Sequence, residues 1–377
     1  MLQLTQVPMQ EQRIYLYFNA TTPIAPEVAD AIHQLLIEPF GNPSSEHWAG
    51  LEARQAVEKA RAQVASFLHC NSDEVVFTSG GSESNNHAVK GTFFAQGGCG
   101  RHVITTQVEH PAVLNPCRFL ERLGASVTYL PVDHFGRVNP DEVRRALRPD
   151  TILISVMHAN NEVGTLQPIS EIGRIARERG ILFHTDAAQS AGKIPTSVNE
   201  LSVDLLSVAG HKLYAPKGVG VLYVRKGVRL EPLLHGAGHE SGRRAGTENI
   251  LLDVALGAAC QLAQSYLGME SMRQLRDRFW ELLQSRFGER VVLNGHPTER
   301  LPNTLSVSFV GKVGSTILSN LKDVAASTGS ACHSGSVELS PVLKAMSVPT
   351  EIGMGTIRFS LGRTTTREEV EEVVSRL

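Results

Sequence analysis

Between residues 25 and 225 the chain alternates short β-rich runs with helical patterns, and this rhythm restricts its possible folds more than any other feature. The runs fall at residues 74–78, 102–106, 126–130, 151–156, 181–184, 205–208 and 219–224. They are short and mostly apolar throughout instead of alternating with polar residues, as expected of strands covered on both faces. Helical patterns lie between most of them and before the first: 26–38, with Pro26 in its first turn, an amphipathic stretch at 51–68, 140–147, and 170–179 stopped by Gly180. The order predicts an α/β fold, a large doubly wound domain around a mainly parallel sheet. After about residue 247 the rhythm changes to one long helical stretch, 247–287, and a mixed α+β tail. Thr366-Arg-Glu-Glu369 forms a capping box for a terminal helix. The expected division is a large domain at 22–262 and a smaller α+β domain made of 1–21 and 263–377, the two joined through a strand around residues 14–18.

Composition narrows the function class. A length of 377 residues suits one large and one smaller domain. Hydrophobic residues at 42% and charged residues at 20% are those of a globular protein, and a formal net charge of -2 demands neither nucleic acid nor an anionic membrane as partner. No apolar run reaches the ~18–20 residues of a membrane span. Residues 1–12 lack the basic and apolar segments of a signal peptide and are expected to form a loose leader. The five cysteines, Cys70, Cys99, Cys117, Cys260 and Cys332, include no C-x-x-C pair. That pattern argues against a disulfide framework or a bound metal and for a reducing, cytoplasmic setting.

Ligands of open α/β sheets bind at the carboxyl ends of the strands, so the strand ends are where chemistry is expected. The first offers Ser79-Gly-Gly-Ser-Glu-Ser-Asn-Asn86 opening a helix, which is either an anion cradle around Gly81 and Ser82 or a plain helix cap. The next offers Glu109-His110-Pro111, where the histidine is structural or ring-facing. Asn160-Asn161 follows another, with amides able to orient a ring. Asp186, in His184-Thr-Asp-Ala-Ala-Gln189, is expected to be buried and in need of a cation. A protein arginine or a protonated pyridine nitrogen would serve. Lys212, in Gly210-His-Lys212, ends an apolar run that delivers it to the same sheet edge. Desolvation there lowers an amine's pKa, as a Schiff-base lysine requires. Together these groups match the protein's part in pyridoxal phosphate chemistry.

Over nearly its whole length the chain resembles the class V aminotransferase-like enzymes of fold-type I, and among them the cysteine desulfurases of the NifS/IscS type and their selenocysteine lyase relatives. The motifs that carry the resemblance are Phe77-Thr-Ser-Gly-Gly-Ser-Glu-Ser-Asn-Asn86, His184-Thr-Asp-Ala-Ala-Gln189, Gly210-His-Lys212, Arg243-Arg-Ala-Gly-Thr-Glu-Asn249 and Ser327-Thr-Gly-Ser-Ala-Cys-His-Ser334. The resemblance implies a Schiff-base role for Lys212, a pyridinium partner in Asp186, a stacking ring in His110 and a donor to the cofactor's phenolic oxygen in Gln189. It implies that Ser82 and His211 hold the phosphate, and that Thr247 reaches the phosphate of a neighbouring subunit in a homodimer. Asn161 and Arg358 match positions that hold the amino acid carboxylate, where a guanidinium fork suits a bidentate pair. Cys332 aligns with the nucleophile that takes sulfur from L-cysteine as a persulfide and hands it to acceptor proteins. One position departs from the family: Ala209 stands where a serine often supplies a further phosphate hydroxyl.

The small polar residues around Cys332 predict a mobile loop with nothing bulky to bury the thiol. Two rival enzymes stay open at this point, a selenocysteine lyase and a simple pyridoxal phosphate lyase or aminotransferase in which Cys332 is incidental. A catalytically idle docking scaffold is disfavoured, because Lys212, Asp186, His110, Arg358 and Cys332 are all present. The destination of the sulfur, an iron–sulfur cluster or a thiolated nucleic acid, is not written in the site.

Overall fold

The computed structural model of the chain describes residues 13–96, 100–266, 270–328, 330–333 and 336–377, with only the backbone described at 330–333, 336 and 337. The expected leader at 1–12 and Cys99 lie outside the described residues. All seven anticipated runs form strands, and they join in one sheet in the order Val75–Thr78, Gly220–Val224, Leu205–Ala209, Leu182–Asp186, Thr151–Ser155, His102–Thr106, Ser126–Leu130. Every pairing is parallel except the two made by Gly220–Val224, which runs against both neighbours.

The sheet is buried on both faces. Val57 and Val64 of the helix Trp48–Leu68 share one core with Phe77, Ile154, Leu206, Val221 and Leu256. On the opposite face Val89, Val113 and Leu120 pack against Val76, Val103, Leu153 and Leu222. Neighbours such as Val76 and Phe77 point to opposite sides, as the two-residue period of a strand requires. Both are therefore apolar, each fully buried side chain of this size contributing about 1.5–3 kcal/mol.

Several elements differ from expectation. The helix anticipated at 26–38 ends at His33 and passes into a 3-10 turn, Gln34–Leu36. The strand anticipated at 181–184 runs to Asp186, because Thr185 and Asp186 pair in register with Leu206 and Ser207. The single long helix anticipated at 247–287 is two, Ile250–Gln264 and Glu270–Phe287. The first begins late because Asn249 caps it, its Oδ1 accepting from the Leu252 N–H at 3.2 Å.

A second, four-stranded antiparallel sheet runs Ser327–Thr328, Thr356–Ser360, Thr304–Phe309, Val291–Asn294. Its core gathers Ile14, Leu16, Phe279, Leu283, Val307, Phe359 and Val370. The N-terminal segment belongs to this core: Ile14–Tyr15 pairs in parallel with Val324–Ala325. The terminal helix Arg367–Arg376 starts at the anticipated capping box, Thr366 Oγ1 accepting from the Glu369 N–H at 3.2 Å and Glu369 returning a bond to the Thr366 N–H at 2.9 Å.

Candidate active site

At the carboxyl edge of the parallel strands the chain walls a cleft of about 620 Å3. Gly81, Ser82, His110, Asn161, Asp186, Gln189, His211, Lys212 and Arg358 all face it. The residues from Gly81 to Lys212 meet here because five strands of the large sheet end at this edge, and Arg358 joins them from the second sheet.

Asp186, only 6% exposed, is the last residue of its strand. Its Oδ1 accepts from the Ala188 N–H at 2.8 Å and its Oδ2 from the Asn85 amide at 2.6 Å. Among the described residues it forms no ion pair with an arginine or lysine. Of the two partners that the sequence left open, the protein arginine is thus not used. Two of the roughly four lone-pair positions of the carboxylate are taken. The remainder are free to accept an N–H from the cleft.

Lys212 ends a single turn of 3-10 helix, Gly210–Lys212, that follows the strand Leu205–Ala209. Gly210 makes this exit possible: a Cβ there would lie 2.9 Å from the Val219 carbonyl oxygen. Lys212 is partly exposed to the cleft, yet protein surrounds its amine closely. Burial lowers its pKa, Asp186 opposes that shift, and the Arg358 charge adds to it.

His110 is the N-cap of the helix Pro111–Glu121, and its Nδ1 accepts from the Ala112 N–H at 3.1 Å. This fixes the tautomer, with hydrogen on Nε2. Burial lowers its pKa, with Asp186 raising and Lys212 lowering it, which favours the neutral ring.

The opposite end of the cleft suits a phosphate. Gly80 has φ +147°, a conformation that side chains avoid, and it turns the chain into the helix Gly81–Asn86. A Cβ on Gly81 would lie 3.1 Å from the Ala209 Cβ, so the strand end and the helix start are pressed together without side chains between them. Burial, then the Lys212 and Lys217 charges, push the His211 pKa down to about 4. Its Nδ1 lies 3.2 Å from the Thr21 hydroxyl, and the residue lines the cleft.

Arg358, on the strand Thr356–Ser360, crosses from the second sheet. Its Nη1 donates to the Asn161 carbonyl at 2.7 Å and its guanidinium stacks on Tyr17 with 5.3 Å to the ring centre. Its buried Nε has no partner among the described residues. Burial lowers its pKa, with Tyr17 and Glu162 opposing. A guanidinium held this way, without a paired carboxylate among the described residues, has the chemistry to accept a carboxylate.

The model of the aminotransferase class-V family matches residues 14–373. A cysteine desulfurase IscS of Dictyoglomus turgidum is 51% identical over 96% of this chain and 92% of its own length. The chain belongs to the class-V aminotransferases, and within them to the NifS/IscS-type cysteine desulfurases. A solved NifS-like protein superposes with a TM-score of 0.91 at 38% identity, covering 97% of this chain and 98% of that one. The structure of SspA in complex with cysteine follows at 0.83 and 37%, covering 93% and 99%. Members of this family use pyridoxal 5′-phosphate, and the residues present fit it: a carboxylate short of donors, a deprotonatable lysine, a neutral flat ring and a glycine-lined anion end.

Two other family candidates, Thr247 and Cys332, are not among the described residues of the cleft wall. Thr247 stands exposed outside the cleft wall, on the segment before the helix Ile250–Gln264. Cys332 lies on a short strand, Ser330–His333, paired antiparallel with Ser336–Leu339, so the backbone forms a hairpin where a loop was expected. The Cys332 side chain, like Ser334 and Gly335, is outside the described residues. Of the other thiols, burial pushes Cys70 and Cys117 up to about 12 and Cys260 further still, which makes them poor nucleophiles. Ala209 caps its strand end with no hydroxyl, as the sequence indicated. The sequence search missed Asn85, Tyr17 and Asn19. Asn85 was legible, because it sits four residues after Gly81 on the helix that opens the anion end. Tyr17 and Asn19 carried no signal, since they reach the cleft only through the pairing of the N-terminal segment with the second sheet. Among the described residues no cluster of three His, Cys, Asp or Glu side chains is placed to hold a metal, and no described helix is long and apolar enough to cross a membrane.

Proposed function

We propose that this cysteine desulfurase takes sulfur from L-cysteine, releases L-alanine, and carries the sulfur as a persulfide on Cys332 until an acceptor protein collects it. The observation that carries the site assignment is Asp186, a buried carboxylate with two N–H donors, no paired cation among the described residues, and the Lys212 amine in the same cleft. Asp186, His110, Gln189, Gly81, Ser82, Asn161 and His211 hold the cofactor, and Lys212 attaches it. When bound, pyridoxal phosphate offers an aldehyde for the substrate amine and a protonated ring that withdraws electrons.

The protein's residues do the rest. Arg358 and Asn161 take the substrate carboxylate, which sets the orientation of its Cα and thiol. Asp186 keeps a proton at the ring nitrogen. Lys212, with its lowered pKa, has a neutral fraction that accepts the Cα proton and returns one to the product. The Cys332 thiolate forms a new S–S bond as the substrate's Cβ–S bond breaks, and the released electron pair and a proton complete the methyl group of alanine. We place the division of the chain at 22–262 for the large domain, with 1–21 and 263–377 as the smaller one that supplies Arg358 and Cys332. We also propose a cytoplasmic homodimer in which Thr247 completes the phosphate site of the partner, with sulfur-acceptor proteins as further partners.

Intact-mass measurement after cysteine treatment tests the reaction. The protein should gain one sulfur atom that a reductant removes, and Cys332→Ala should lose both the adduct and alanine formation from cysteine. Alanine formation undiminished in Cys332→Ala, or pyruvate and sulfide without an adduct, would overturn it.

A further inference from the structure

Behind the cleft wall, on the far side of Gln189, lies a second amine. Residues 187–194 form a short helical turn, with the Ala191 N–H on the Ala187 carbonyl at 2.9 Å and the Ile194 N–H on that of Ser190 at 3.1 Å. Gln189 and Lys193, four residues apart, therefore project to the same side. Gln189 faces the cleft, whereas Lys193 lines a separate crevice of about 50 Å3 together with Lys212 and Asn303. Lys193 Nζ donates to Gln189 Oε1 at 3.2 Å and to Asn19 Oδ1 at 3.3 Å. Gln189 Nε2 donates to the Asn19 carbonyl at 2.9 Å.

We propose that Lys193 is a positioning residue, which fixes the Gln189 amide so that it presents a donor, and never an acceptor, to a cofactor oxygen in the cleft. The inference rests on the assignment of the cleft to pyridoxal phosphate. Its basis is the one-way character of the partners. A backbone carbonyl only accepts, so the Gln189 atom facing the Asn19 carbonyl must be the nitrogen. An ammonium only donates, and even a neutral lysine amine here lies between two amide oxygens. Asn19 cannot turn either, since its Nδ2 donates to the Asn161 carbonyl at 3.3 Å and its Oδ1 accepts from Asn303 at 3.0 Å. Reversal of Gln189 would set oxygen against oxygen and amide nitrogen against amine. One Nε2 hydrogen serves Asn19, and the second remains for the cleft, where it stabilises an anionic phenolic oxygen. Burial, then the Lys212 and Arg358 charges, hold the Lys193 pKa down to about 7, so the amine carries part of a positive charge that polarises the amide.

Visible spectra of the protein reconstituted with pyridoxal phosphate, and titration of its affinity, provide the test. In Lys193→Met the visible band should lose intensity to the near-ultraviolet band and the cofactor Kd should rise about tenfold, the scale of one charge-assisted hydrogen bond. Gln189→Leu should show the same change, and Lys193→Met added to Gln189→Leu should add nothing. Lys193→Arg, which keeps a donor to Gln189, should recover much of the wild-type spectrum. An unchanged spectrum and Kd in Lys193→Met, or two losses that simply add in the double variant, would overturn the proposal while leaving the cofactor site standing. If Lys193→Met does not fold, the same cycle with Lys193→Gln decides. A wild-type protein that gains no visible band with pyridoxal phosphate would instead overturn the cofactor assignment itself.

Discussion

Glu109 puts a second carboxyl group beside the cleft, one residue before His110, and its chemistry is opposite to that of Asp186. It accepts from the Thr106 hydroxyl at 2.9 Å and the Met157 N–H at 2.8 Å through the same oxygen, and its other oxygen has no partner among the described residues. Burial pushes its pKa up to about 8, against two hydrogen bonds that lower it, and the Asp186 charge adds to the rise. The native state therefore keeps this proton from about pH 4.5 to about 8, where the unfolded chain has lost it. The native state binds more protons in that window, so its stability falls as pH rises. The contribution is fully present below about 4.5 and gone above about 8. Glu109→Gln keeps the neutral shape and removes the slope. Urea melts from pH 4.5 to pH 8 should show the variant gaining on the wild type by on the order of 4 kcal/mol. Parallel curves for the two proteins would show that Glu109 ionises in the fold as it does in water. A neutral Glu109 also keeps a second negative charge away from Asp186, whose own charge the site needs.

Among the larger elements, the segment that carries Thr247 is tied down by the Arg244–Glu83 pair and by a more deeply buried one. Arg61, from the helix Trp48–Leu68, makes a bidentate contact with Glu240 at 2.7 and 2.9 Å, stacks over Phe77, and donates to the Val75 carbonyl. Glu240 also accepts from the Phe77 N–H at 2.9 Å, which fastens the segment to the edge strand of the sheet. Glu240→Gln leaves the buried guanidinium only the exposed Glu58, 3.2 Å from its Nε, as counter-charge, and should cost about 3–5 kcal/mol in urea unfolding. Arg61→Met combined with Glu240→Leu should recover most of that loss, because the pair is replaced by apolar volume. If the double variant is as unstable as the single one, the tie acts through its shape and not its charge. This pair also marks where the sequence stops being legible. The seven strands could be read because burial on both faces leaves an apolar run, and five strand ends then located most of the cleft. Arg61 and Glu240 are 179 residues apart, and nothing local marks either as the other's partner. The break near residue 265 was hidden because both flanking segments keep a helical pattern. The hairpin at Cys332 was hidden by small polar residues that suit a loop equally well.

At the scale of the whole molecule, two observations point to a partner subunit. Leu36, Ile37, Phe40 and Trp48 are 64%, 80%, 73% and 68% exposed, which is a large apolar group for a single short stretch of surface to leave in water. Phe40 and Trp48 pack edge to face with their ring centres 6.4 Å apart, so the two aromatic rings form one contiguous part of the patch. Thr247, meanwhile, is exposed and does not reach the cleft of its own chain. Both facts are explained if two chains associate and each lends Thr247 to the other's phosphate. Sedimentation velocity should then report a dimer, and Ile37→Glu with Trp48→Lys should give a folded monomer that loses its cofactor faster. Thr247→Ala should remain dimeric while its cofactor affinity falls about tenfold. A mixed dimer separates the two possible origins of that loss. When a Lys212→Ala chain is paired with a Thr247→Ala chain, one of the two sites combines an intact Lys212 with an intact Thr247 from the other subunit. That site should bind pyridoxal phosphate with wild-type affinity at half the stoichiometry. If Thr247 instead served its own chain, every Lys212-bearing site in the mixture would stay weak.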